Sequence, residues 1–192
     1  NKNLSHKKYK KYSVINDESH YAEFSDACAE LTADIDLSGV ACWYPIGNSF
    51  NHESNLWYTG TFDGKNHKIT NVTVPTSAGA TFGGLFGLLG EEATIKNLGV
   101  ENINVYCRGA AGGIAGGTTL TENKVTISHC YAANVVLDAP SKDRNAGGII
   151  GGMWGTLSDY GVDNCFAYNV NITDETPHRG YIAGYDAVVN DS

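Results

Sequence analysis

GGLFG at 83–87, GGIAG at 112–116, GGIIG at 147–151 and GYIAG at 180–184 are four versions of one short pattern, with starts 29, 35 and 33 residues apart. A pattern that recurs at a period of about 20 to 50 residues is the signature of a solenoid. The paired glycines permit positive φ and let neighbouring coils approach closely. The apolar residues between them (Leu85–Phe86, Ile114–Ala115, Ile149–Ile150) suit a short strand. A phosphate-cradling loop would need a following GKS or GKT and a helix, and the sequence has neither.

A second pattern accompanies the first: ITNVTV (69–74), IKNLGVENINV (95–105), ISHCYAANVVL (127–137) and VDNCFAYNVNI (162–172). Aligned on their first residues, these segments form columns. Ile69, Ile95, Ile127 and Val162 share one, Asn71, Asn97, His129 and Asn164 the next, and Val72, Leu98, Cys130 and Cys165 a third. Val74, Val100, Ala132 and Ala167 follow, then Ile103, Val135 and Val170, then Val105, Leu137 and Ile172. Alternation of apolar with small or polar positions marks a strand whose two sides meet different environments. Stacked coil on coil, the apolar columns fill the interior of a parallel β-helix, and an Asn column links coils through side-chain amides. The spacing predicts an all-β fold, a parallel β-helix of about five to six coils.

The lead-in is less regular. ELTADIDLSG (30–39), WYPIG (43–47) and YTGTFDGKNHKITNVTV (58–74) read as the opening strand and first coils. Residues 21–29 are the one plausible helix, a short N-terminal cap that would shield the first strand edges. Residues 1–20 read as a tail and 21–192 as a single β-helix domain, with its glycine-motif coils from 83. YDAVV (185–189) either closes the solenoid or leads into further domains of a longer chain.

The 192 residues are 42% hydrophobic and 18% charged, with 23 glycines, 18 of them between 83 and 184. That fits strands joined by tight turns. The net charge of −8 hides an asymmetry, because Lys2, Lys7, Lys8, Lys10 and Lys11 precede a body of net charge −13. An acidic body argues against nucleic acid as a partner. No stretch is long and apolar enough to span a bilayer. Cys28, Cys42, Cys107, Cys130 and Cys165 are odd in number and form no CxxC pair, so no disulfide framework is indicated, although Cys28 and Cys42 are close enough in sequence to bridge.

Gly84-Leu85-Phe86-Gly87 resembles the GLUG motif, and LTADIDLSG, WYPIG and GTFDGKNHKI resemble the segment that commonly precedes such repeats. The resemblance covers roughly residues 31–184. Later copies depart from it at Ile114, Ile149 and Tyr181. It implies a right-handed parallel β-helix from an extracellular bacterial protein. GLUG repeats occur in adhesin-like surface proteins, in gut-bacterial lipoproteins and beside the protease domain of IgA-cleaving metallopeptidases. That protease domain needs HExxH, which is absent from this sequence.

Motifs for chemistry are sparse. The histidines show no HxxxH spacing, and no GxSxG elbow occurs. His129 substitutes for Asn in its column, which makes it a structural residue. Asp34, Asp36 and Asp63 suit either a hard cation or turn and cap hydrogen bonds, and the second use is the reading adopted. Arg108, Arg144 and Arg179 each precede a glycine motif and would line one edge, ion-paired to the carboxylates of the same turns. Trp57, Tyr58, Trp154 and Tyr160 fall in expected loops, where aromatic faces stack on sugars or anchor protein contacts. Asn71-Val72-Thr73 and Asn171-Ile172-Thr173 match the glycosylation sequon, a match that a bacterial source would make coincidental.

The sequence therefore predicts a non-catalytic extracellular or cell-surface scaffold or adhesion module, requiring no cofactor or metal. It would bind host or bacterial surface glycan or protein through Trp57, Tyr58, Trp154, Tyr160, Arg108, Arg144 and Arg179. The rival readings are a carbohydrate-active β-helix enzyme (a polysaccharide lyase or hydrolase) and an oligomeric fibre or tail-spike component.

Overall fold

The computed structural model describes residues 2–4, 26–47, 57–119, 124–140, 145–152, 160–173, 178–184 and 189–190. The chain folds as an all-β solenoid of parallel strands with about four turns. The strands are β1 (Lys2–Leu4), β2 (Ala29–Leu31), β3 (Ile35–Asp36), β4 (Thr61–Val74), β5 (Phe86–Leu89), β6 (Thr94–Tyr106), β7 (Ala111–Gly112) and β8 (Ala115–Thr118). They continue with β9 (Val125–Ser128), β10 (Tyr131–Asp138), β11 (Asn145–Gly147), β12 (Ile150–Gly152), β13 (Tyr160–Asp163), β14 (Phe166–Ile172), β15 (His178–Gly180) and β16 (Val189–Asn190). Among the described residues the sole helical element is a 3-10 turn at Thr76–Ala78. The expected cap at 21–29 lies outside them up to residue 25, and its last residue, Ala29, opens β2 instead.

A large 10-stranded sheet carries the long wall, and two 3-stranded sheets, β15-β11-β7 and β12-β8-β5, form the short ones. The coil count is below the expected five to six because the ends pair sparsely. β2 and β3 each meet β4 over two residues, and β16 meets β13 over two. Lys2–Leu4 pair in parallel with β2.

The register revises the column assignment. Ile69, Val72 and Val74 lie beside Val100, Ile103 and Val105, five residues further along than the alignment on first residues implied. The reason is a five-residue unit used twice per coil: Ile95-Lys96-Asn97-Leu98-Gly99, then Val100-Glu101-Asn102-Ile103-Asn104. Either unit satisfies the apolar spacing of ITNVTV. The true register places ITNVTV in the second unit, because Phe62 to Lys68 fills the first with a wider arc containing Lys65 and Asn66 at positive φ.

At the centre of each unit stands a residue in the left-handed region: Asn97 (φ 52°), Asn102 (56°), His129 (53°), Asn134 (54°), Asn164 (49°) and Asn169 (52°). Asn and His accept this conformation more readily than most residues. Each inserts a bend, so buried positions run 95, 98, 100, 103, 105 rather than alternating strictly. The buried columns are tight: Ile95, Val100, Ile103 and Val105 are fully enclosed, as are Ala132, Val135 and Leu137 one coil on.

The glycine pairs serve close packing. Among described glycines only Gly47 and Gly79 have positive φ, so backbone freedom does not explain the motif. A Cβ on Gly148 would strike the Tyr181 carbonyl and the Ala167 methyl, and one on Gly113 would strike the Gly148 carbonyl. The short walls are thus drawn in until backbone meets backbone.

Candidate functional site

The residues singled out from sequence separate on folding. Tyr58 is interior, 2% exposed, with its hydroxyl donating to the Ala27 carbonyl at 2.7 Å and its ring 5.2 Å from that of Phe86. Burial drives its pKa far upward. Trp57 is half-buried and packs against Phe82, Leu88 and Ala110 over Gly90. Tyr58 is thus a core residue of the first coils, while Trp57 lies in a bend and is partly buried against a small satellite cluster. The backbone of Tyr160 belongs to β13, in register with Val125. Trp154 and Arg144 lie outside the described residues.

Arg108 and Arg179 are exposed. Neither forms an ion pair among the described residues, and the turn carboxylates Asp143, Asp174 and Glu175 lie outside them. They do not share a column either: Arg179 aligns with Ala146, which aligns with Ala111, three positions beyond Arg108. Each lines a shallow cavity of its own. Arg108 shares about 280 Å³ with Tyr106, Asp138 and Pro140. Arg179 shares about 300 Å³ with Val170, Asn171, Ile172 and Tyr181.

The outer face of the long wall carries the most developed constellation. The Lys68 ammonium donates to both Glu101 oxygens, at 3.2 and 3.0 Å, and the Tyr131 hydroxyl donates to Glu101 Oε1 at 2.8 Å. The Tyr131 ring covers Gly99, where any Cβ would collide with it. Phe166, one coil on, stacks nearly parallel to Tyr131, with centroids 5.2 Å apart and planes 7° apart. Phe166 is 58% exposed, and Tyr168, next outward on β14, is 68% exposed. With Tyr181 at 73%, these are the exposed large hydrophobic residues among the described residues, all on the coil of β13 to β15. Sequence reasoning missed them because it placed binding in loops. The signal was present: Phe166 and Tyr168 flank Ala167, whose column points into the core.

The carboxylates of this wall are held ionised. The Lys68 amide and then His67 hold Asp34 below its ordinary range. Burial raises Asp63, but the Asn97 amide, the Lys65 N–H and the ammoniums of Lys65 and Lys96 outweigh it and bring it down. The Tyr131 hydroxyl and then Lys68 do the same for Glu101. Tyr131 in turn is pushed up to about 12, by burial first and by Glu101 second. Asp36 accepts from the Ser38 amide at 2.8 Å and from Asn71 Nδ2 at 2.8 Å. Turn and ladder hydrogen bonding therefore accounts for Asp34, Asp36 and Asp63. Among the described residues no cluster of His, Cys, Asp and Glu is arranged to hold a metal. No helix among them is long and apolar enough to cross a membrane.

Fold and wall together define a parallel β-solenoid with a polar, aromatic-tipped outer sheet. No family model matches the chain, and no solved structure matches it. It is similar to the protein named Halomucin from Haloquadratum walsbyi (strain DSM 16790 / HBSQ001), with 31% identity over 114 residues, or 59% of this chain. The matched region is 1% of Halomucin's length.

Proposed function

We propose that the chain is a non-catalytic scaffold and adhesion module of an extracellular or cell-surface protein, of the GLUG-repeat kind, that contacts glycan or protein. The observation that carries the reading is the grouping of Phe166 and Tyr168 on the outer face of β14 with Tyr181 after β15 of the same coil, all three more than half exposed. Aromatic faces beside hydrogen-bonding groups suit sugar rings and protein anchors alike. The likeness to part of a very long protein is compatible with a module in a larger architecture.

The non-catalytic part of the reading draws support from the charge state of the wall. A glycoside hydrolase needs one carboxyl with a raised pKa to protonate the leaving group. Asp34, Asp63 and Glu101 are all shifted the other way.

Purified protein applied to an array of neutral and acidic glycans and of surface proteins tests the proposal. Saturable binding to one class, weakened at least tenfold in a Tyr168→Ala variant of unchanged melting temperature, is the expected result. Depolymerisation of any polysaccharide by this chain alone would overturn it.

A further inference from the structure

We propose that Cys130 and Cys165 are a disulfide-forming pair that locks the β14 coil to the coil before it. The two residues face each other across one coil step, since the flanking pairs Ser128↔Asp163 and Tyr131↔Phe166 are in register on either side. The backbone bonds between them are intact: the Phe166 amide donates to the Cys130 carbonyl at 3.2 Å, and the His129 amide to the Asp163 carbonyl at 3.0 Å. Neighbouring parallel strands lie about 4.8 Å apart. That falls inside the Cα separation of roughly 4.4–6.8 Å that a disulfide spans.

Both side chains enter the core in the column begun by Leu98. They adopt matching poses, each Sγ directed at the carbonyl two residues back: Ser128 at 3.2 Å for Cys130 and Asp163 at 3.3 Å for Cys165. Each thiol also reaches a carbonyl one coil back, Ile95 at 3.8 Å for Cys130 and Ile127 at 3.5 Å for Cys165. No other two cysteines stand in register. Cys28 is exposed, Cys42 sits in the lead-in, and Cys107 is buried, donating to the Ala110 carbonyl at 3.3 Å.

The partners differ in a way that assigns their roles. Cys130 is enclosed, at 1% exposure, whereas Cys165 is half-buried at the less covered end of the column. Cys165 is therefore the attacking sulfur. Its thiolate displaces one thiolate from a low-molecular-weight disulfide such as oxidised glutathione, leaving a mixed disulfide. Cys130 then loses its proton to solvent and attacks Cys165 Sγ, expelling the second small thiolate. Two protein thiols are oxidised to one disulfide, and one small disulfide is reduced to two thiols.

Both thiols are free in the structure, so this is an oxidation the protein is poised for. It bears on the exposed aromatics, because Phe166 follows Cys165 directly and Tyr168 lies on the same strand. The chemistry is independent of the ligand reading.

The test equilibrates the full chain in glutathione buffers, native and without denaturant, then alkylates in denaturant and maps peptides by mass. The expected result is a single linked pair, Cys130 with Cys165, with Cys28, Cys42 and Cys107 alkylated. Amide exchange in β14 should slow by about tenfold or more on oxidation and recover with dithiothreitol. Cys165→Ala and, separately, Cys130→Ser should each abolish the change. Alkylation of both Cys130 and Cys165 at the oxidising end of the series, or a linked pair involving Cys28 or Cys42, would refute the proposal.

Discussion

Asn102 donates its side-chain amide to the Asn71 Oδ1 one coil away, at 3.1 Å, while holding its own backbone at φ 56°. The same bond recurs from Asn134 to Asn102 and from Asn169 to Asn134, each at 2.9 Å. At the other end Asn71 donates to Asp36, so a chain of amides starting on a carboxylate runs through the stack. One residue type thus serves two needs, the left-handed bend and the link between coils.

Two substitutions separate those needs. Asn134→Gly keeps the left-handed backbone and loses the ladder bonds, at about 0.5–1.5 kcal/mol for each bond. Asn134→Ala loses the bonds and also lacks the polar side chain that lets Asn tolerate the left-handed region, so relative to Gly it costs roughly 1–2 kcal/mol more. Denaturant unfolding should rank wild type above Gly and Gly above Ala. Equal stabilities for the two variants would mean that the bend contributes nothing.

The ladder also shows what was legible beforehand. The period, the parallel solenoid and the inward columns through Cys130 and Cys165 follow from apolar spacing alone. The register of the first coil does not, because the five-residue unit occurs twice and spacing cannot choose between its copies. What decides is the FDGKNHK arc, whose two extra residues matter only once β6 is stacked beside it. Tyr58 was misplaced for a related reason: an aromatic next to a turn residue looks the same whether the turn exposes it or folds it inward. Phe166 and Tyr168 became visible only when the register put them on the outer face.

The pH response of the wall follows from Glu101 and Tyr131. Glu101 is depressed in the folded state, so its stabilisation is complete above the unfolded value of about 4.3 and is lost as pH falls through the lower folded value. Tyr131 is raised from about 10 in the unfolded chain to about 12. Its contribution is complete below pH 10 or so and is lost as pH rises through about 12. Glu101→Gln should flatten the acid limb of a stability profile. It should also bring the Tyr131 titration, followed by tyrosinate absorbance, down towards the unfolded value. An unchanged tyrosine titration in that variant would show that Glu101 has no hold on the ring.

Two glycines should respond differently to alanine. At Gly99 the new methyl meets the ring end of Tyr131, a side chain that can lift at the expense of its bond to Glu101 and its stack on Phe166. Overpacking of this kind costs about 1–3 kcal/mol. At Gly148 the methyl meets the Tyr181 carbonyl, so two coils must separate, and the loss should exceed that at Gly99. Thermal unfolding of both variants gives the order directly.

The last contrast opposes a buried aromatic to an exposed one. Tyr58→Phe removes the hydroxyl that satisfies the Ala27 carbonyl, and leaving a buried acceptor unpaired costs about 1–3 kcal/mol. Ligand binding should be untouched, since the ring still packs against Phe86. Tyr168→Ala removes a side chain that is 68% exposed, and away from packing such changes stay within about 0.5 kcal/mol of wild type. If the last coil is the contact surface, that same change lowers affinity at least tenfold. Melting curves and binding isotherms on the two variants should therefore move in opposite columns. A Tyr168→Ala protein that melts early and still binds normally would return the wall to a purely structural role.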